Sequence, residues 1–425
     1  MLKKQYADEA LMATSAKTAV KRFRTKGPDV QQVAAADQGP RFSELDGIRG
    51  IAVLVLLAYH ALYIPMVAGS WSGIPRLVLL MARTGWLGVD LFFVLSGFLI
   101  TGILLDTKHD RHYLRNFYAR RALRIWPLYY VVLLLILVFY SNSGSYVLIS
   151  SFYLANLVSL FGTLNIYGPL WSLSVEEHFY LIWPWVVRFT SKRALAITAL
   201  AICLGEPLAR ALAFGHISIL DIYSYSWFRF DGLAWGALLA LFFRSAAGTR
   251  RNLWWLAGGS FLCGAALFVG GLPFGIISKE NLAGTALLYT ASQMMFVGLI
   301  AAALGGSGTR LVAPLNWRPL RLCGDVSYCF YLIHIMIFHA WDFILLCFGL
   351  HPEASLGKFG HILLRAFVGS VISFAVSLLS YRYFESPILR LKGYFAHSGP
   401  GSKPSRTEIR RPSVIEVYRP NPHAI

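Results

Sequence analysis

Apolar residues recur in runs of about 16 to 24 from Ile48 to Phe384, broken by short polar segments. A helix needs about 20 such residues to cross a hydrocarbon core about 30 Å thick. The pattern therefore predicts an all-α membrane protein, a polytopic bundle of about ten transmembrane helices at 48–66, 85–105, 125–140, 170–187, 194–214, 229–243, 253–273, 283–304, 324–348 and 361–381. The stretch 144–162 is apolar too, but Ser and Asn residues interrupt it. It is expected to be an outer loop lying on or dipping into the membrane.

Composition agrees with that pattern: 56% of the chain is hydrophobic and only 14% charged, which excludes a soluble multidomain protein. The net charge of +18 raises a nucleic-acid partner, yet basic cytoplasmic loops give the same balance. Distribution separates the two. An even number of spans puts both termini on one side; with them in the cytosol, thirty-two Lys and Arg face inward, counting Arg49 at the inner boundary. Four (Arg76, Arg83, Lys279, Lys358) face outward, and Arg210, Arg229 and Arg365 lie within spans. This positive-inside bias speaks for a bilayer partner and against nucleic acid.

Residues 1–40 read as a basic, flexible cytosolic extension without a cleavable signal peptide, the first span serving as anchor. Residues 41–392 form the transmembrane domain, and 393–425, rich in Pro, Ser and Arg, read as a disordered cytosolic tail. Five cysteines without a C-x-x-C spacing indicate neither a disulfide framework nor a zinc site, and no metal is expected. Oligomeric state is not legible.

An ionisable side chain inside a span costs a few kcal/mol and calls for a partner, a water-filled cavity or a function. Arg49 and His60 are eleven residues apart, which returns the same helix face about 16 Å further along. His60 then sits near the midplane, where imidazole is suited to take and return a proton; a histidine bonded between helices is the bland alternative. Arg49 is either an anchor paired with Asp46 at i to i+3 or an anion ligand. Arg121 and Arg124 project from one helix face just below the membrane, a spacing suited to phosphates, although topology alone accounts for either one.

In the fourth span Ser172, Glu176 and Tyr180 follow i, i+4, i+8 and form a polar stripe directed at a cavity, whereas Glu177 and His178 fall off it. The run around Asp90 and Ser96 carries small residues for close helix packing. Arg229 with Asp231 reads as a structural ion pair, and His334 as a bonded core histidine.

Together these segments resemble the acyltransferase 3 family of bacterial membrane proteins. The carrying motifs are Leu45-Asp46-Gly47-Ile48-Arg49-Gly50 with His60, Gly88-Val89-Asp90-Leu91-Phe92-Phe93-Val94-Leu95-Ser96-Gly97-Phe98, Arg121-x-x-Arg124-Ile125-x-Pro127, and Trp171-Ser172-Leu173-x-x-Glu176-x-x-Phe179-Tyr180. Ser327-Tyr328, Tyr331-Leu332-x-His334 and Phe384-Glu385-x-Pro387 extend the set, which runs in order from about Arg41 to Leu391. The resemblance implies an integral O-acyltransferase of the bacterial cytoplasmic membrane, with acyl-CoA, commonly acetyl-CoA, as donor substrate and no permanently bound cofactor. The acceptor it implies is a hydroxyl of a surface polysaccharide, lipopolysaccharide or glycolipid. It also implies that the spaced arginine and histidine, here Arg49 and His60, are essential.

On this reading His60 is the general base, Arg121, Arg124 and Arg49 hold donor phosphates, and Glu176 orients the acceptor or tunes His60 from the outer side. Asp46, Asp90, Ser96, Trp171, Ser172, Tyr180, Arg229 and His334 are expected to bind substrate or support the site. The alternative is a transporter or flippase for a polar lipid or glycan, using the same intramembrane polar groups as a pathway.

Overall fold

The computed structural model describes residues 42–395, all helix and connecting turn, with no strand among them. The extension 1–40 and the tail beyond residue 395 lie outside the described residues, and so does the expected cytosolic placement of the termini. Gly393, where the tail is expected to begin, still belongs to a short 3-10 helix, Leu391–Phe395.

Each of the ten apolar runs is a helix: α1 (Ser43–Ala58), α2 (Gly88–Asp106), α3 (Tyr113–Phe139), α4 (Leu170–Phe189), α5 (Lys192–Ala213), α6 (Phe230–Phe243), α7 (Arg250–Gly271), α8 (Leu282–Gly305), α9 (Ser327–Cys347) and α10 (Pro352–Ser380). Eight helical segments are long and apolar enough to cross a membrane. The other two are α4, whose polar stripe lowers its hydropathy, and α6, with only 14 residues. The stretch 144–162 holds a short helix, Gly144–Ser150, and a 3-10 helix, Ala155–Phe161, rather than a span. A ten-residue helix, Gly73–Ala82, occupies the segment between the first two spans.

Two helices depart from regularity. α1 continues through a π-helical turn, Tyr59–Tyr63, before ending at Met66. Inside α10, Gly357 adopts φ 68°, a left-handed conformation that glycine takes without a Cβ clash, so the membrane-crossing part starts after it.

The bundle is held by close backbone approaches at small residues. A Cβ on Gly97 of α2 would lie 1.9 Å from the Leu233 carbonyl oxygen of α6, and one on Gly236 would lie 2.1 Å from that of Val94. Likewise Gly324, in a short helix Arg318–Asp325, packs on the Asp46 carbonyl and ties α1 to the segment leading into α9. Large apolar side chains such as Leu134, Val138, Leu204 and Phe367 are exposed on the outside, as a lipid-facing surface requires.

Candidate functional site

Helices α1, α2, α3, α4 and α9 enclose a cavity of about 430 Å³. Four basic side chains line it: Arg49 on α1, Arg121 and Arg124 near the start of α3, and Lys392 from the segment after α10. Asp46 and Asp325 line it as well. Arg49 Nη1 lies 3.9 Å from Asp46 Oδ1, and about a third of the Arg49 side chain (34%) stays exposed, so this long, partly solvated pair leaves the guanidinium available to a ligand. Arg121 lies over the Tyr180 and Phe117 rings, its Cζ 5.8 and 5.9 Å from their centroids, which orients its fork.

The polar stripe of α4 faces this cavity as its spacing predicts: Ser172, Glu176 and Tyr180 all line it. Ser96 of α2 joins them, its Oγ 2.5 Å from the Tyr180 hydroxyl, which in turn donates to Glu176 Oε2 at 3.1 Å. Tyr331 of α9 contributes a hydroxyl in hydrogen-bond contact with Ser172 Oγ. His178, off the stripe, instead meets Ser226 Oγ at 2.6 Å. The cavity thus combines four basic side chains with a set of hydroxyls and the carboxylates of Asp46, Glu176 and Asp325.

His60 does not line this cavity. It sits in the π-helical turn and faces α9, with Nδ1 3.1 Å from His334 Nε2. Arg49 and His60, which the spacing puts on one helix face at two depths, reach different neighbours: Arg49 lines the cavity and His60 meets His334. Glu176 likewise shares the cavity of the arginines rather than the surroundings of His60. Tyr331 belongs to both regions: its side chain lines the cavity, while its carbonyl lies 2.8 Å from His334 Nδ1.

A second polar cluster is sealed in the core beside the cavity. Arg229 Nη2 donates to Asp90 Oδ1 at 2.7 Å, and Arg210 Nη1 donates to Asp231 Oδ2 at 2.7 Å, all four side chains fully buried. The sequence reading paired Arg229 with Asp231; the structure exchanges the partners. Arg229 stands just before α6 and Asp231 in its first turn, and each reaches a partner on another helix, Asp90 on α2 and Arg210 on α5. Gln293 Nε2 bridges the pairs, reaching Asp90 at 3.3 Å and Asp231 at 2.9 Å. Trp171 also lies here rather than in the cavity, its ring 5.7 Å from the Arg229 Cζ and 4.6 Å from Tyr223.

Above that cluster Lys279, in the loop between α7 and α8, places Nζ 3.5 Å from the ring centroid of Trp86 and 3.7 Å from that of Tyr223. Burial, and next the nearby Arg229 charge, bring its pKa down to about 7.

Among the polar lining residues, Asp325, Ser327, Tyr328, Tyr331, Tyr381 and Lys392 are not singled out individually as site residues from sequence. Ser327, Tyr328 and Tyr331 stand inside the quoted motifs, but Lys392 and Asp325 are charged residues near helix ends, where positive-inside topology and capping hide any binding signal.

An acyltransferase domain family model matches residues 42–382. The peptidoglycan O-acetyltransferase OatA of Listeria monocytogenes is 36% identical over 159 residues, 33% of this chain and 23% of that protein. The putative peptidoglycan O-acetyltransferase YrhL of Bacillus subtilis is 28% identical over 392 residues, and the O-acetyltransferase OatA of Staphylococcus aureus is 27% identical over 382. These two alignments cover 83% of this chain but only 56% and 58% of the relatives, so the chain spans little more than half their length. No solved structure matches it.

Proposed function

Because this chain belongs to the acyltransferase 3 family, we propose that it is a membrane-embedded O-acyltransferase of the bacterial cytoplasmic membrane, moving an acetyl group from acetyl-CoA to a hydroxyl of a cell-surface glycan. The observation that carries this reading is the cavity itself, in which Arg121, Arg124, Arg49 and Lys392 share one space with the Ser96, Tyr180 and Glu176 chain.

Guanidinium groups bind phosphate oxygens bidentately, and an ammonium adds a point charge. A phosphate-bearing donor from the cytosol would be held there by its nucleotide end. Its extended arm then runs along the wall formed by Ser96, Tyr180 and Glu176, whose hydrogen bonds to one another hold that wall in place.

His60 is the general base of this reading. It takes the proton of the acceptor hydroxyl as that oxygen attacks the thioester carbon; the C–S bond then breaks, and the thiolate of CoA leaves and recovers the proton. A positioned base is worth about 10² to 10⁴ in rate.

Purified protein incubated with acetyl-CoA and a glycan acceptor tests the reading, with release of the CoA thiol and acetylation of the glycan followed together. Wild type is expected to do both, and His60→Ala neither, at equal expression. Glycan binding without thiol release in the wild type would instead support a carrier.

A further inference from the structure

His60 and His334 stand 274 positions apart in sequence and meet ring to ring, their centroids 5.0 Å apart. The hydrogen-bond partners of His334 dictate where the hydrogens of the pair lie. Its Nδ1 faces two backbone carbonyl oxygens, Tyr331 O at 2.8 Å and Phe330 O at 3.1 Å. Carbonyl oxygens only accept, so Nδ1 carries the hydrogen and donates. A neutral ring with its hydrogen on Nδ1 has a bare Nε2, which accepts. That bare Nε2 is the atom facing His60 Nδ1 at 3.1 Å, so His60 must donate from Nδ1. The hydrogen of His60 is then spent on His334, and the lone pair on His60 Nε2 is left to take a proton. These hydrogen positions are assigned from the partners on each nitrogen.

We propose that His334 is a positioning residue, fixing His60 as the Nδ1–H tautomer and thereby making His60 Nε2 the basic atom of the reaction. This rests on the reading of His60 as general base. The surroundings hold His334 to the task. It is 1% exposed, the Phe330 ring lies parallel to it at 6.3 Å, and the Phe338 ring stands perpendicular at 6.3 Å. Rotation of the imidazole about χ2 would leave both carbonyls facing a carbon edge. The π-helical turn that carries His60 is a departure from α-helix of the kind concentrated at functional sites.

The same arrangement explains how a base works without a neighbouring carboxylate among its described hydrogen-bond partners. Orientation comes from a second imidazole, whose own direction is set by the backbone of α9.

The test compares two substitutions in the full chain in detergent or vesicles. In His334→Gln the amide oxygen still accepts from His60 Nδ1 and the amide N–H still reaches a carbonyl, and transfer is expected to stay within about tenfold of wild type. In His334→Phe the ring fits between Phe330 and Phe338 but accepts nothing, and kcat is expected to fall about 10²-fold or more with the KM for acetyl-CoA unchanged. Equal activity of the two variants would overturn the proposal, since a merely structural role favours the ring.

Nitrogen-15 NMR of histidine-labelled wild type, with the His60 signals identified by their loss in His60→Asn, reads the tautomer directly. A hydrogen on Nδ1 and a bare Nε2 are expected; a hydrogen on His60 Nε2 would overturn the assignment even if His334→Phe failed to fold. Retention of transfer by His60→Ala is a different outcome, because it removes the base reading and leaves the tautomer measurement standing.

Discussion

Asp90 and Arg229 are joined at 2.7 Å with both side chains fully buried, although 139 positions separate them in sequence. Arg229 also lies 4.2 Å from the Tyr289 centroid, so an aromatic face covers the side of the guanidinium that no carboxylate reaches. Removing one member of such a pair strands the other charge in a medium that cannot solvate it, a loss of about 3 to 5 kcal/mol. Asp90→Ala is therefore expected to lower the melting temperature and yield of the detergent-solubilised protein sharply, whereas exposed Asp106→Ala, which breaks a pair to Arg244, changes them little. Thermal melts of the two variants side by side check this; equal melts would mean that the buried pair is not what holds α2 to the start of α6.

The arginines of the cavity are expected to act on donor affinity. Arg121→Ala and Arg124→Ala each weaken acetyl-CoA binding about tenfold or more, the scale of a lost charge-assisted hydrogen bond. Lysine in their place restores only part, because an ammonium cannot make the bidentate contact. Affinity of wild type falls as salt rises, and the dependence is shallower in each alanine variant, which has one charge fewer to screen. Binding measured by titration calorimetry at low and high salt decides it: unchanged affinity would assign these arginines to topology alone.

The sequence displays the fold well wherever the information is local. Each apolar run became a helix, and the i, i+4, i+8 spacing of Ser172, Glu176 and Tyr180 correctly aimed three polar groups at one cavity. Arg121 and Arg124, three apart on α3, also share that cavity. What the sequence hides is pairing across the bundle. The exchange of partners between Arg229 and Asp231, the meeting of His60 with His334, and the arrival of Lys392 at the cavity all depend on helix packing that no spacing records. A shared helix face was also too coarse a guide for Arg49 and His60, since over about 16 Å one face passes from one set of neighbours to another.

Tyr331 lines the cavity with its hydroxyl against Ser172, while its carbonyl faces His334 Nδ1. Tyr331→Phe removes the hydroxyl and leaves Ser172 Oγ with only the Pro169 carbonyl at 3.4 Å. Loss of this contact loosens the cavity wall and admits water to the thioester, so hydrolysis of acetyl-CoA without acceptor is expected to rise about tenfold relative to transfer, and further in Tyr331→Ala. The ratio of thiol released to glycan acetylated measures this. A ratio equal to wild type in both variants would show that Tyr331 does not control water entry.

Lys279 gives the protein a pH dependence of defined sign. Its pKa of about 7, set chiefly by burial and then by Arg229, lies below the value near 10.4 of a lysine in an unfolded chain. Between those two values the unfolded chain binds the extra proton and the folded one does not, so stability from this group rises with pH across that window. Below about pH 7 both states are protonated and the contribution is flat. The attraction of the ammonium to Trp86 and Tyr223 opposes the burial cost without cancelling it. Relative to Lys279→Met, which keeps the apolar stem over the same rings but has no proton to bind, wild type is expected to gain melting temperature between pH 7 and 9. Parallel melting curves for the two proteins over that range would show that Lys279 stays charged in its aromatic surroundings, with cation and ring attraction outweighing burial.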